Sequence, residues 1–224
     1  VRELLADDGF FVIEFAYLVT MLEKIFFDMV YHEHVCYISV TALGFLMERF
    51  GMEIFDMTEV GTHGGSLRVF IQKKDGPRPR TLIVDRFLRE EKEKGCLADK
   101  VYQDFAAQVM GFKEKLHRMI AQLKAEGKTI SGYGAPAKAS TIINFCELTP
   151  DEIDYIVDDN PLKQDRLIPG RKIPIVPSAH LNAYPTDYVM IFAWNFAREI
   201  IAKIEPLRDK GVKFIVPLPE PIAV

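Results

Sequence analysis

Hydrophobic and polar residues follow two different rhythms along this chain. In the first 75 residues the apolar positions come as short extended runs around one amphipathic stretch. Asp8-Gly9 followed by Phe10-Phe11-Val12-Ile13-Glu14-Phe15 reads as a turn and then a buried, central strand, because the run is short and β-branched or aromatic. Ser39 is placed to N-cap a helix whose Leu43, Leu46, Met47 and Phe50 share one face, with Gly51 as its stop. Two extended segments, 52–60 and 66–74, flank Gly61-Thr62-His63-Gly64-Gly65 and are expected to pair as a hairpin. After the break at Asp75-Gly76-Pro77, residues 82–124 become helical, interrupted at Gly95. Val101, Phe105, Val109, Phe112, Leu116, Ile120 and Leu123 form one apolar stripe, and the charge run 89–94 reads as a solvated face. Beyond Gly127 the rhythm alternates: strands over 128–132, 154–158, 188–193 and 213–216, and helices over 138–146, 178–182 and 196–210. Alternation of this kind implies a parallel sheet covered by helices. The chain is therefore expected to be α/β throughout, divided as 1–75, a helical connector over 76–126, and an α/β domain with a parallel sheet over 127–224.

Composition narrows the class without changing the layout. With 224 residues, 49% of them hydrophobic, the chain can bury sizeable cores and is not disordered. A formal net charge of −4 gives no electrostatic footprint for nucleic acid or an anionic membrane. Cys36, Cys96 and Cys146 are widely spaced and form no CxxC, so neither a disulfide framework nor a zinc site is read from them, and a cytoplasmic setting is expected. No apolar run is long enough to span a bilayer. A first residue of Val1, in what reads as the end of a helix, is expected to mark part of a longer protein.

Three segments carry candidate chemistry. Gly132-Tyr133-Gly134-Ala135-Pro136-Ala137 is a G-x-G-x-x-A turn between a strand and a helix, with Asp158 closing the next strand and Lys138 one turn into the helix. Glycines there let backbone amides approach a phosphate at a helix N-terminus. A dinucleotide, another phosphate-bearing ligand and a purely structural turn all remain open. Tyr31-His32-Glu33-His34 is compatible with a metal cluster, with structural histidines, or with a general base whose tautomer a carboxylate holds; an extended backbone would separate these side chains, a tight turn would gather them. His63-Gly64-Gly65-Ser66-Leu67-Arg68 reads equally as a glycine-bulged hairpin or as a close backbone approach to a ligand.

Taken in order with Val12-Ile13-Glu14, Asp158-Asp159-Asn160-Pro161-Leu162-Lys163-Gln164 and Ala193-Trp194-Asn195-Phe196, these segments resemble the C-terminal portion of the sugar C-methyltransferases that act on nucleotide-linked ketodeoxysugars. The resemblance runs over essentially the whole chain. It implies that residues 1–74 are the closing third of a class I S-adenosylmethionine-dependent methyltransferase fold, the fifth strand, its helix and the terminal hairpin, and that residues 127–224 form a second, Rossmann-like domain. The donor's glycine-rich loop and the zinc cysteines of the family's N-terminal domain have no counterpart in these residues, so the fragment is expected to be inactive alone. By the same resemblance His34 is the base that removes the proton alpha to a ketone, Glu33 its orienting carboxylate, and Tyr31 a donor to the developing oxyanion. His32 matches the pattern without a role. His63, Gly132, Tyr133, Gly134 and Lys138 are implied to bind the nucleotide sugar. The alternative expectation is an NAD-dependent oxidoreductase or nucleotide-binding module built on Gly132, Gly134 and Asp158.

Overall fold

The computed structural model describes residues 1–61 and 64–224. They divide into two compact units, the first formed by residues 1–24 and 35–106, the second by residues 25–34 and 107–224.

In unit 1, strand β1 (Phe10–Ala16) leads into the short helix α1 (Leu18–Glu23). Helix α2 (Val40–Arg49) starts where the sequence places its cap: the Ser39 side chain accepts from the Ala42 amide. Strands β2 (Met52–Val60) and β3 (Ser66–Lys73) form the expected antiparallel hairpin, with a register shift between Ile54 and Asp56. The sheet order is β1-β3-β2, with β3 antiparallel to both neighbours. β1 thus differs from the central strand expected of it. Among the described residues it has one partner; Phe11, Ile13 and Phe15 pack on the core while Phe10 and Val12 stay exposed. A run with apolar residues on both faces does not by itself show which face is covered.

Helix α3 (Leu82–Glu93) buries Val84, Phe87 and Glu91. The charge run is therefore not wholly solvated. Glu91 is fully buried and accepts from the Tyr17 hydroxyl at 2.8 Å, the Val40 and Thr41 amides at 2.6 and 2.8 Å, and the Thr41 hydroxyl at 2.5 Å. Its carboxylate closes the N-terminus of α2, where two unpaired amides and the helix dipole favour an anion. Burial and the Glu91 charge together push the Tyr17 phenol upward.

Helix α4 (Asp99–Ala125) is a single 27-residue helix, and the division between the units falls within it, so the residues expected to form a connector do not make a third unit. In unit 2, α4 buries Val109, Phe112, Leu116, Ile120 and Leu123, five positions of the apolar stripe. The remainder is strand β4 (Ile130–Tyr133), helix α5 (Ala137–Phe145), strands β5 (Ile156–Val157), β6 (Arg166–Leu167) and β7 (Pro174–Val176), helix α6 (Ala179–Ala183), strand β8 (Tyr188–Ile191), helix α7 (Ala197–Ile204), and strands β9 (Lys213–Val216) and β10 (Ile222–Ala223). The sheet order is β10-β9-β8-β4-β5-β7-β6. Five strands, β9-β8-β4-β5-β7, are parallel neighbours, and β6 and β10 add antiparallel edges. This is a doubly wound α/β arrangement. The chain leaves β4 toward β5 on one side and returns to β8 on the other, so the order reverses between β4 and β8. Ligands of open α/β sheets lie in the crevice beyond the carboxyl ends of the two strands at such a point.

β7 and the edge strands, two or three residues long, leave no periodic signal to read. The helix expected over 196–210 is a 3₁₀ turn at Trp194–Phe196, α7, and a second 3₁₀ turn at Glu205–Lys210, because Pro206 interrupts it.

Candidate active site

The segment that carries Tyr31 to His34 belongs to unit 2. Phe27 stacks on Phe112 and Phe145, with ring centroids 5.2 and 5.0 Å away, and the Thr141 hydroxyl donates to the Val30 carbonyl. A 3₁₀ turn, Phe27–Met29, precedes a tight turn in which the His34 amide bonds the Tyr31 carbonyl at 2.9 Å. The backbone is thus turned, not extended, and it gathers Tyr31 and His34, whose rings lie 4.2 Å apart.

The bonding fixes the imidazole's tautomer. Nδ1 of His34 lies 2.9 Å from the Met29 carbonyl, which can only accept, so Nδ1 carries the hydrogen. Nε2 then presents its lone pair and accepts from the Tyr31 hydroxyl at 3.0 Å. An imidazole in this tautomer can take a proton at Nε2.

Glu33 does not supply the orienting carboxylate expected of it. Its Oε1 lies 3.8 Å from His32 Nε2, and the two side chains are 70% and 84% exposed. Glu33 thus lies in solvent beside His32, and the group found at His34 Nδ1 is the Met29 backbone carbonyl. His63 lies outside the described residues. Arg68 faces Glu14 across β1 and β3 and donates to it at 2.8 and 3.0 Å, a cross-strand pair of unit 1.

The glycine turn sits at the sheet's reversal point. Gly132 has no room for a side chain: a Cβ there would stand 2.7 Å from the Phe192 ring and 2.8 Å from Ile156. Gly134 adopts φ +87°, and a Cβ would meet that of Ala193 at 2.9 Å. Gly134→Ala is accordingly expected to destabilise unit 2, with the left-handed backbone alone contributing about 1–2 kcal/mol. Denaturant unfolding checks this, and an unchanged midpoint would mean that the turn relaxes freely. Gly134→Val would report on folding before it reported on any ligand.

Tyr133 is buried and donates to Asp159 Oδ2 at 3.0 Å; burial raises its phenol pKa. Asp159 also accepts from Lys203 and Ser178, and these hold its carboxyl below the usual range. Asp158 closes the turn itself. Its Oδ2 accepts from the Ala135 amide at 2.7 Å and from Lys163, its Oδ1 from the Asn160 amide, and its carbonyl from Gln164. The oxyanion that a dinucleotide reading assigns to a ribose is spent on the protein's own backbone, which counts against the NAD alternative. Pro136, the N-cap of α5, gives no side-chain bond to the helix's first amides, which by helix geometry lack an internal acceptor.

Lys138 turns inward. Its residue is 6% exposed, and its Nζ lies 4.4 Å from the centroid of the Trp194 ring. Trp194, just beyond β8, donates its indole N–H to Asp28 Oδ2 at 2.5 Å and stacks on Phe26 at 4.3 Å. Asp28 is fully buried. Burial pushes its carboxyl up to about 6, opposed by the Trp194 hydrogen bond and the Lys138 charge; burial likewise lowers Lys138, opposed by Asp28. Sequence reasoning missed Asp28 and Trp194 as partners. The available signals were a lone acid inside the apolar run 25–30 and the single tryptophan.

Residues 61–219 match the family described as the C-methyltransferase C-terminal domain. The C-methyltransferase NovU of Streptomyces niveus is 36% identical over 221 residues, an overlap that takes in 99% of this chain and 53% of that protein. The chain thus spans about half the length of the curated relative it matches. It belongs to the C-methyltransferase family.

Proposed function

We propose that this chain is the acceptor-binding, base-bearing part of an S-adenosylmethionine-dependent C-methyltransferase that acts on a nucleotide-linked ketodeoxysugar. The observation that carries the reading is the Tyr31 and His34 pair: a neutral imidazole with its Nε2 lone pair against a phenol hydroxyl. Removal of a proton alpha to a ketone needs those two groups. His34 Nε2 takes the proton, and the Tyr31 hydroxyl exchanges its bond to Nε2 for one to the carbonyl oxygen, where negative charge collects as the enolate forms. Nδ1 stays on the Met29 carbonyl, so the ring keeps its orientation and the imidazolium keeps a partner. The orienting role passes from Glu33 to that carbonyl.

The nucleotide diphosphate is proposed to lie on the glycine turn, against the first amides of α5, with the Lys138 charge behind them. In this reading Gly132 and Gly134 shape the turn and Tyr133 braces it through Asp159. Unit 1 contains the parts that the resemblance assigns to the end of a methyltransferase fold: β1, a following helix and the β2–β3 hairpin. Phe10 and Val12 leave an apolar face for the rest of such a fold to cover.

S-adenosylmethionine, when bound, supplies an electrophilic methyl group. The described residues do not fit it. The sheet of unit 1 has no strand running through a glycine turn into a helix, and the one such turn, after β4, is closed by the Asp158 carboxylate. Donor binding, and the family's zinc, are assigned to parts of the complete enzyme beyond these residues. Calorimetry of this chain with S-adenosylmethionine is therefore expected to show no tight complex; a dissociation constant of about 1 μM, near −8 kcal/mol, would overturn that assignment.

The test of function uses the full-length enzyme in deuterated water with a thymidine or uridine diphosphate ketodeoxysugar and no methyl donor. Exchange of the sugar's alpha proton is the expected result. Absence of exchange with both nucleotides, together with binding of NAD, would favour the oxidoreductase class.

No helix among the described residues is long and apolar enough to cross a membrane.

A further inference from the structure

We propose that Asp28 is a positioning residue for His34, pegged by Trp194 and Lys138 so that the turn bearing the Met29 carbonyl is locked to the carboxyl ends of β4 and β8. The proposal rests on the reading of His34 as the base.

The peg is built from atoms that ordinary packing does not call for. Asp28 is fully buried; its Oδ2 accepts from the Trp194 N–H, the backbone amides of Asp28 and Met29 also act on the carboxylate, and Oδ1 is without a hydrogen-bond partner among the described residues. Lys138 Nζ is likewise buried and without a hydrogen-bond partner, set over the face of the same indole. Opposite charges thus flank one tryptophan. Desolvating two charges is costly, and an apolar pair of similar volume would fill the space more cheaply, so stability alone does not account for them. Such a pair can instead enforce one arrangement of the elements that carry it, because an apolar substitute tolerates sliding and a half-broken pair does not.

What the arrangement holds is the base. Asp28 lies in the 3₁₀ turn Phe27–Met29, and the next residue along offers its carbonyl to His34 Nδ1 at 2.9 Å. If the turn shifts, that acceptor moves away and nothing in the pair favours the Nδ1–H tautomer. The other tautomer carries its hydrogen on Nε2 and has no lone pair there to take a proton. Lys138 stands at the second position of α5, directly after the glycine turn, and Trp194 three residues beyond the end of β8. The base is thereby referenced to the two strand ends that frame the crevice, and a displacement of about 1 Å at such a group can cost on the order of 10²-fold in rate.

The experiment uses full-length enzyme labelled with ¹⁵N-histidine, in which the ring nitrogen shifts report the tautomer without any turnover; the spectrum of His34→Asn identifies the His34 signals. Asp28→Asn keeps the size and one acceptor but removes the charge. It is expected to change His34 from the Nδ1–H form to a mixture, and to lower kcat roughly 10- to 100-fold while KM for the nucleotide sugar moves less than about threefold. Trp194→Phe, which keeps a ring and loses the donor, should shift the tautomer in the same direction. If Asp28→Asn folds poorly, the pair Asp28→Asn with Lys138→Met, in which neither charge is left alone, should regain thermal stability while the tautomer mixture persists; the tautomer alone is read in this pair, because Lys138 is also assigned to the nucleotide diphosphate. Return of the wild-type tautomer along with stability would show a merely structural residue and overturn the proposal. So would a folded Asp28→Asn with the wild-type tautomer. Should His34→Asn retain proton exchange, the reading of His34 as base fails, yet the tautomer still decides whether Asp28 positions the ring.

Discussion

In the full-length enzyme, His34→Asn is expected to slow exchange of the sugar's alpha proton by about 10²- to 10⁴-fold, the usual contribution of a positioned general base. Asparagine keeps approximate size and some hydrogen bonding but offers no basic nitrogen. The affinity for the nucleotide sugar should change little, because the imidazole is assigned to the reacting carbon and not to the nucleotide. Tyr31→Phe should slow the same exchange by less, since it removes a donor to the oxyanion and leaves the lone pair of His34 in place. Glu33→Gln should have the smallest effect of the three, because the Glu33 carboxylate lies by His32 in solvent while Met29 holds the ring. The order His34, Tyr31, Glu33 is what distinguishes this geometry from one in which Glu33 orients the base. Exchange at the normal rate in His34→Asn would transfer the role to another group, and Tyr31 and His63 would be tested next.

The largest expected effect on stability is at Glu91. Its carboxylate receives four hydrogen bonds, from Tyr17, the Val40 amide, the Thr41 amide and the Thr41 hydroxyl, at a site with no solvent access. Glu91→Ala leaves those donors unpaired in the core of unit 1 and is expected to cost about 3–5 kcal/mol, the range for removing one member of a buried charge-assisted network. Glu91→Gln retains a carbonyl acceptor but points an N–H₂ at a surrounding set of donors, so a loss of roughly 1–3 kcal/mol is expected. Urea unfolding gives both values, and amide hydrogen exchange at Val40 and Thr41 localises the damage to the start of α2. A loss below about 1 kcal/mol for Glu91→Ala would mean that water enters and replaces the carboxylate.

Much of the local structure was legible residue by residue. Ser39 as cap, Gly51 as stop, the β2–β3 hairpin and the strand–helix alternation after Gly127 all depend on neighbours a few positions away, where periodicity and backbone preference act directly. The order of motifs also pointed to the family that the comparison with NovU and the domain match identify. Burial of an individual charge was not legible. The run 89–94 has the composition of a solvated face, and nothing within it marks Glu91 as the residue that closes a helix fifty positions earlier.

The candidate site divides in the same way. Tyr31, His34, Gly132 and Gly134 were named from sequence because their residue types carry recognisable chemistry at short spacing. Which neighbour serves which was decided only in three dimensions. The direction of each side chain in a turn is not expressed by composition, so the nearest carboxylate in sequence, Glu33, lies beside His32 in solvent while the Met29 carbonyl meets His34 Nδ1. The same limit hides the assignment of residues 25–34 to unit 2 and the bond from Trp194 to Asp28 across 166 positions of chain. Chain-local propensities determined the elements and the chemical repertoire of this protein. Long-range packing, which rewards contacts that no local preference encodes, decided that the segment bearing Tyr31 and His34 joins unit 2, whose parallel sheet reverses its order between β4 and β8.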